Sequence, residues 1–250
     1  MDEIAASPQR HHPLPGLYNF RDAGGYDTPA GAVRWGRLFR SDALHRIDDV
    51  TRQHLVGLGI AHVVDLRSAM ELEAAPSAIT GLPITVHHLP VFAGAAPVSA
   101  AASGIARVYE HIVDERGEAL AAAVRVIAGT EPHEAVLVHC TAGKDRTGLV
   151  IALALSAVGV ARADVVADYA LTEANLRGEW ADQMLAAIRA RGIDPTPEIV
   201  GLVTASPAAV LEATLERIDA RHGSITDYLI AHGMTAAEID RLADTLIDRA

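Results

Sequence analysis

The rhythm of apolar and polar positions changes past Leu155. Before it, short apolar runs bounded by Gly, Pro, Asp or Ser alternate with stretches whose apolar residues recur every three or four positions. The runs predict strands over 33–40, with mixed faces, and over 60–68, with an apolar half and a polar tail. Two more follow over 84–89 and 135–138. The periodic stretches predict a helix from Asp48 or Thr51 to near Gly57 and Gly59, and a short one over 70–75, ended by Pro76. Helices over 105–114 and 117–128 come next, with Gly129 as a stop, and 149–155 is apolar on every side, as suits a buried helix.

Beyond it the chain reads as almost wholly helical, over 163–176, 179–191, 197–204, 207–222, 224–232 and 235–247. The last opens on the capping pattern Thr235-x-x-Glu238. Leu211, Leu215 and Ile218 share one face of their helix, and Glu212, Glu216, Arg217 and Arg221 a solvated one. Strands alternating with helices, then a helical tail, predict an α/β fold: a mostly parallel central sheet sandwiched by helices, with a helical C-terminal region. A chain of 250 residues can bury one sizeable core and needs no second. Residues 1–16, with three prolines and Gly16, read as a flexible lead, and 17–250 as a single domain, helical from about 160 on. Residues 92–104, rich in Ala, Gly and Ser, read as a mobile loop able to gate a neighbouring pocket.

Composition narrows the function. The formal charge of −11 disfavours nucleic acid, so any attraction for an anion has to be local. With one cysteine, no disulfide can form within the chain. The N-terminus lacks the charged-then-apolar pattern of a secretory signal, and no stretch is long and apolar enough to span a bilayer. The expected location is the cytoplasm; export by a route that leaves no N-terminal signal is compatible with it. His87 and His88 point to opposite faces of their strand and the other histidines are scattered, so neither a metal site nor a cofactor is expected.

The candidate chemistry lies in His139-Cys140-Thr141-Ala142-Gly143-Lys144-Asp145-Arg146-Thr147-Gly148, between the strand at 135–138 and the helix at 149–155. A loop curling onto a helix N-terminus points unpaired backbone N–H groups into one concavity at the positive end of the helix dipole. Thr141 through Arg146 would cradle a phosphate there, with Gly143 letting the backbone come close. The same field favours the thiolate of Cys140, the nucleophile. Arg146 can grip two phosphate oxygens, and Thr147 offers the sulfur a hydroxyl. Among 21 Lys and Arg, the sole lysine, Lys144, stands four residues after the sole cysteine. It would add a second positive charge and favour substrates with several phosphates, such as phosphoinositides. Asp65 and Arg67 fall at the C-terminal edge of a central strand, the rim where open α/β sheets bind ligands.

His-Cys, five residues, then Arg is the signature of the cysteine-dependent phosphatases. HCTAGKDRTG resembles more narrowly the bacterial tyrosine and dual-specificity phosphatases, as do Asn19-Phe20-Arg21-Asp22-Ala23-Gly24-Gly25-Tyr26 and Gly223-Ser224-Ile225. The resemblance implies phosphomonoester hydrolysis through a phosphocysteine, without a metal. Its substrates would be proteins carrying phosphotyrosine, phosphoserine or phosphothreonine, or phosphoinositides, and its product inorganic phosphate. It also implies that Arg21, Asp22 and His139 support the pocket and that part of 160–250 forms a lid. For the general acid it favours Asp145 or Asp65 over Asp114, which sits at a helix end. Bound phosphate would help either carboxylate keep a proton, and Arg146 or Lys144 would work against it; the sequence leaves both open.

Other classes fit poorly. A P-loop NTPase needs Ser or Thr after Gly143-Lys144, where Asp145 stands, and an upstream glycine that is missing. A dithiol redox enzyme needs a second cysteine. A silent phosphate-binding module would have no use for Cys140.

Overall fold

The structure is a computed structural model describing residues 9–92 and 104–249. Its main sheet holds β1 (Arg21–Asp22), β4 (Leu38–Ser41), β5 (Ile60–Asp65), β6 (Thr85–His88) and β7 (Ala135–His139) in the order β1-β4-β7-β5-β6. The last four lie parallel and β1 closes the β4 edge antiparallel. A second, antiparallel sheet joins β2 (Asp27–Thr28), β3 (Gly31–Val33) and β8 (Ile247–Arg249).

Alternation along the strands explains the sandwich, because successive side chains leave opposite faces. Val136 and Val138 of β7 enter the larger core, which includes residues of α3 (Ile105–Glu115), α4 (Gly117–Ala128) and α5 (Asp145–Ala157). Ala135 and Leu137 enter a smaller one with Leu55 of α1 (Asp49–Gly57). Helix α5 is buried from Arg146 through Leu155, which is why its sequence shows no polar face. The short α2 (Ala69–Ala74) is fixed by a capping box between Ser68 and Glu71. Then come α6 (Arg162–Leu176), α7 (Glu179–Ala190), α8 (Pro197–Thr204), α9 (Ala208–His222), α10 (Ile225–Ala231) and α11 (Ala236–Leu246).

Three expectations need correction. The strand expected over 33–40 is two strands in different sheets, broken where Gly36 turns at φ +72°. The buried Asp22 carboxylate fixes that turn by accepting from Gly24 N at 2.7 Å and Gly36 N at 2.6 Å. The final helix stops at Leu246, and Ile247 opens β8 by pairing with Val33. The residues expected as a loose lead are tied down from Arg10: its carbonyl accepts from Asp22 N at 2.9 Å and its guanidinium stacks on Tyr26. The gate expected over 92–104 falls, from 93 to 103, outside the described residues. No single described helix is long and apolar enough to cross a membrane.

Candidate active site

β7 delivers His139 and Cys140 to the C-terminal edge of the sheet, and α5 begins five residues after the cysteine. Between them every carbonyl from Cys140 to Lys144 is engaged, those of Thr141, Ala142 and Gly143 by other segments of the chain. Cys140 O lies 3.2 Å from His139 Nδ1, and Thr141 O accepts from Ala43 N at 3.1 Å. Ala142 O and Gly143 O accept from Asn19 Nδ2 at 3.1 and 3.0 Å, and Lys144 O from Gly148 N at 2.7 Å. The N–H groups of Thr141 to Arg146 donate to nothing else among the described residues. With the carbonyls engaged, those donors are left for an anion at the positive end of α5. Gly143 makes the curl possible: its φ is +63°, and a Cβ there would stand 2.2 Å from Ser41 O.

Beneath the loop lies a wholly buried polar layer. Arg40 on β4 donates to Gly143 O at 2.9 Å, to Asp168 Oδ2 at 2.5 Å and to Thr172 Oγ1 at 3.3 Å. Arg21 shares the same aspartate, donating to Asp168 Oδ1 at 3.2 Å, to Asp168 O at 2.8 Å and to Thr172 Oγ1 at 3.0 Å, and it also holds the Asn19 side chain. Burial and the like charge of Arg40 lower Arg21 to about 10, despite Asp168. Burial would raise Asp168, but the two guanidiniums outweigh it and hold it at about 2. Asp42 is also buried, accepting from Tyr18 N at 3.0 Å and Asn19 N at 2.9 Å, and desolvation raises it to about 6. Desolvation likewise raises Asp22 to about 6.

At the mouth, Arg146 meets an acid that sequence reasoning missed. Glu71 accepts from Arg146 Nη1 at 2.7 Å and Nη2 at 2.8 Å, and from Thr141 Oγ1 at 2.5 Å. Burial would raise Glu71, yet the bonds from Arg146 and Thr141 carry it down to about 2. Burial likewise works against the Arg146 charge, and Cys140 and Glu71 more than restore it. The pairing is end-on, through the two terminal nitrogens, so the side of the fork bearing Nε is not committed to Glu71.

The two candidate acids part company here. The Asp65 side chain is only 2% exposed and closed by Arg67, with Nη2 to Oδ2 at 2.6 Å and Nε to Oδ1 at 2.9 Å. Burial would raise it, but Arg67 and His139 hold it below the usual carboxylate range. Paired in this way, Asp65 is favoured as the carboxylate. Asp145, at the first position of α5, has a side chain 30% exposed and accepts from Tyr109 Oη at 2.9 Å. Asp114 is taken up by Arg217 at 2.7 Å and Arg221 at 2.5 Å.

Three further candidates differ from expectation. Lys144 points away from the pocket: its Nζ caps the end of α8, donating to Leu202 O and to Ala205 O at 3.0 Å, with Asp145 Oδ1 at 3.8 Å. Only its backbone remains available to an anion, because the carbonyls at a helix C-terminus compete for the ammonium. Thr147 Oγ1 is buried and bonds to nothing among the described residues, so the expected bond to sulfur is not formed. Burial lowers His139 to about 4, only partly opposed by Asp65, so its ring is neutral at neutral pH. Both ring nitrogens face acceptors, Nδ1 the carbonyl of Cys140 at 3.2 Å and Nε2 the Asp65 carboxylate at 3.5 Å.

Asn19, Arg40, Glu71 and Asp168 were the residues missed. Glu71 had a signal in Ser68-x-x-Glu71, since a capping glutamate must lie at the start of its helix, here beside the loop. Arg40 and Asp168 had none, being ordinary charges in a strand and a helix. Around the loop's outer edge Trp180 and Ala181 of α7, with Val203 of α8, pack with Ala142. Among the described residues no group of three or more His, Cys, Asp or Glu could hold a metal ion.

Comparison with known proteins adds an independent line. A model of the tyrosine phosphatase family matches residues 12–248. The chain is 33% identical over 276 residues to the triple specificity protein phosphatase PtpB of Mycobacterium tuberculosis, covering 94% of this chain and 98% of that one. It is 27% identical to a tyrosine-protein phosphatase of Nostoc commune, over 85% of this chain and 75% of that one.

Proposed function

Since this chain belongs to the tyrosine phosphatase family, we propose that it hydrolyses phosphotyrosine, phosphoserine and phosphothreonine in proteins through a phosphocysteine on Cys140. The observation that carries the reading is that all five carbonyls from Cys140 to Lys144 are engaged while the N–H groups of Thr141 to Arg146 are not, which leaves the loop amides for an anion. In the first step the Cys140 thiolate attacks phosphorus in line, the S–P bond forms and the P–O bond to the substrate breaks. The amides and the Nε side of Arg146 hold the equatorial oxygens as charge spreads onto them. Asp145 gives its proton to the leaving oxygen. In the second step water attacks phosphorus, the S–P bond breaks, Asp145 takes the water's proton and phosphate leaves.

Asp145 is preferred over Asp65 on access. Its carboxylate reaches solvent, whereas Asp65 stays ionised beneath Arg67. The reach to serine and threonine draws on the similarity to a triple specificity enzyme. Phosphoinositides lose the argument made for them, because the Lys144 ammonium is taken up by α8. The test is hydrolysis of phosphotyrosine and phosphoserine peptides by the wild type and Cys140→Ser. Turnover should fall by about a million-fold in the variant, the order seen when a covalent nucleophile is removed, with unchanged thermal unfolding. Full turnover by Cys140→Ser would remove the proposal.

A further inference from the structure

The mechanism above leaves Lys144 without an electrostatic role in the pocket, and Arg146 with part of its charge paired to Glu71. We propose that Arg40 is the second cation of the anion site: a positioning residue whose half-paired charge beneath the loop favours the ionised form of Cys140 and the binding of phosphate. The proposal rests on the reading of Cys140 as the nucleophile.

The ion pairs around the loop are otherwise matched. Arg146 meets Glu71 and Arg67 meets Asp65, while the Lys144 ammonium is held by carbonyls at the C-terminal end of α8. Arg21 and Arg40, by contrast, share the single carboxylate of Asp168. The remaining partners of this layer carry no charge: Thr172, Asn19 and Tyr26, whose hydroxyl lies 3.3 Å from Asp168 Oδ1 and is kept protonated by burial. Tyr169, which packs where a Cβ on Gly148 would fall, is kept protonated in the same way. Two other acids, Asp22 and Asp42, are held by backbone N–H groups rather than by this pair of arginines.

Placement makes the surplus count at the loop. Arg40 Nη2 touches Gly143 O at 2.9 Å and lies 3.6 Å from where a Cβ on Gly148 would stand, so the guanidinium sits against both the curl and the first turn of α5. Both arginines are fully buried, where counter-ions do not screen them as they do a surface charge. Only a planar fork could reach Asp168, Thr172 and Gly143 O together, which a lysine could not do. The anion able to complete the count is whatever occupies the concavity above: first the thiolate, then the phosphate dianion.

A rival account makes Arg40 a clamp on the Gly143 carbonyl and nothing more. The sole cysteine makes the two separable, because alkylation by iodoacetamide reads one thiol. Rates would be measured on the folded protein across a pH series and compared on its rising limb, where thiolate content limits them, together with inhibition of aryl phosphate hydrolysis by inorganic phosphate. Arg40→Gln keeps an N–H donor for Gly143 O but removes the charge; it should slow alkylation about ten-fold and weaken phosphate inhibition about ten-fold, the equivalent of one pH unit. Arg40→Lys keeps the charge and should stay within about three-fold of wild type on both measures. Asp168→Asn adds to the surplus and should speed alkylation, a sign that loss of a clamp does not give.

Equal rates for Arg40→Gln and wild type, or Arg40→Lys as slow as Arg40→Gln, would overturn the proposal, as would slowing by a folded Asp168→Asn. If Asp168→Asn shows no cooperative unfolding, the glutamine and lysine pair decides alone. Failure of the wild type to turn over any phosphopeptide would instead remove the phosphatase reading, which the alkylation series does not test.

Discussion

The two sides of the phosphate loop are built on opposite terms. The underside is closed: Arg21, Arg40, Asp168 and Asn19 are fully buried, and their bonds run to one another, to Thr172, Tyr26, Asp42 and Asn175, or to loop carbonyls. The mouth is open to exchange. Arg146 faces an acid that shares its fork, and Asp145 reaches solvent. A buried polar layer is costly to disturb, so the underside serves shape and field. The Arg146–Glu71 pair is made through one edge of the guanidinium only, so it can yield to a dianion, and the mouth serves binding and proton transfer. Changes below the loop should therefore cost stability or shift the anion's energy without altering which proton moves, and changes at the mouth should alter the chemistry with the fold intact.

The largest contrast lies between the two aspartates. Asp145→Asn should lower kcat by about 10²- to 10⁴-fold for alkyl phosphates, whose leaving oxygen needs a proton, and much less for a nitrophenyl phosphate. The fall in rate at alkaline pH should disappear with it. Equal losses on both leaving groups would take the acid role from Asp145. Asp65→Asn should do the reverse, lowering stability by about 3–5 kcal/mol because Arg67 is left buried without its counter-charge, and leaving the shape of the pH–rate profile in place. Denaturant unfolding beside a pH–rate series reads both, and an altered profile in Asp65→Asn would blur the division between the two sides.

Glu71 sharpens the same comparison from the mouth. Glu71→Gln frees one edge of Arg146, so the guanidinium loses its fixed direction, and the inhibition constant for inorganic phosphate should worsen about ten-fold. In an Arg146→Ala background the same change should have no further effect on that constant. Additive losses would show that Glu71 does not act through Arg146. Because Glu71 is held at about 2 when folded, against 4.5 ordinarily, its pairing stabilises the protein above pH 4.5, and that support fades as pH falls toward about 2.

Smaller effects are expected from Lys144 and Asp42. Lys144→Met should cost about 1–2 kcal/mol, seen first as faster amide exchange in α8, with phosphate inhibition changed less than two-fold. A large loss of phosphate affinity would return the ammonium to the pocket. Asp42 runs opposite to Glu71: its folded value is raised to about 6 from 3.8, so its contribution is present below pH 3.8 and is lost as pH rises through about 6. Asp42→Asn, which keeps an acceptor for Tyr18 N and Asn19 N, should therefore flatten the dependence of melting temperature on pH over that range.

Much of the fold was readable because local rules agree with it. The parallel core follows from β7 and β5 being apolar runs with helices between them, and two of the helix starts follow from Asp48 and Thr235, each a capping residue accepting a backbone N–H. Errors fell where a partner distant in sequence decides. Ile247 is strand and not helix because Val33 offers it an edge, and 33–40 breaks because Asp22 fixes the Gly36 turn. Within the site, Cys140, Gly143 and Arg146 were legible because their spacing is itself the geometry. The direction of Lys144 was not, since its partners are carbonyls about sixty residues on.

By itself the sequence determined that a strand, a curl and a buried helix follow one another at residues 135–155, with a thiol at the base of the curl and an arginine six positions along. That is a local matter, set by glycine, helix polarity and hydrophobic pattern. Which charges are free and which are committed was settled only by the tertiary structure. The energy of a buried charge depends on the groups packed around it, and here those groups are contributed by β1, β4, α2, α6 and α8, segments that meet only when the chain has folded.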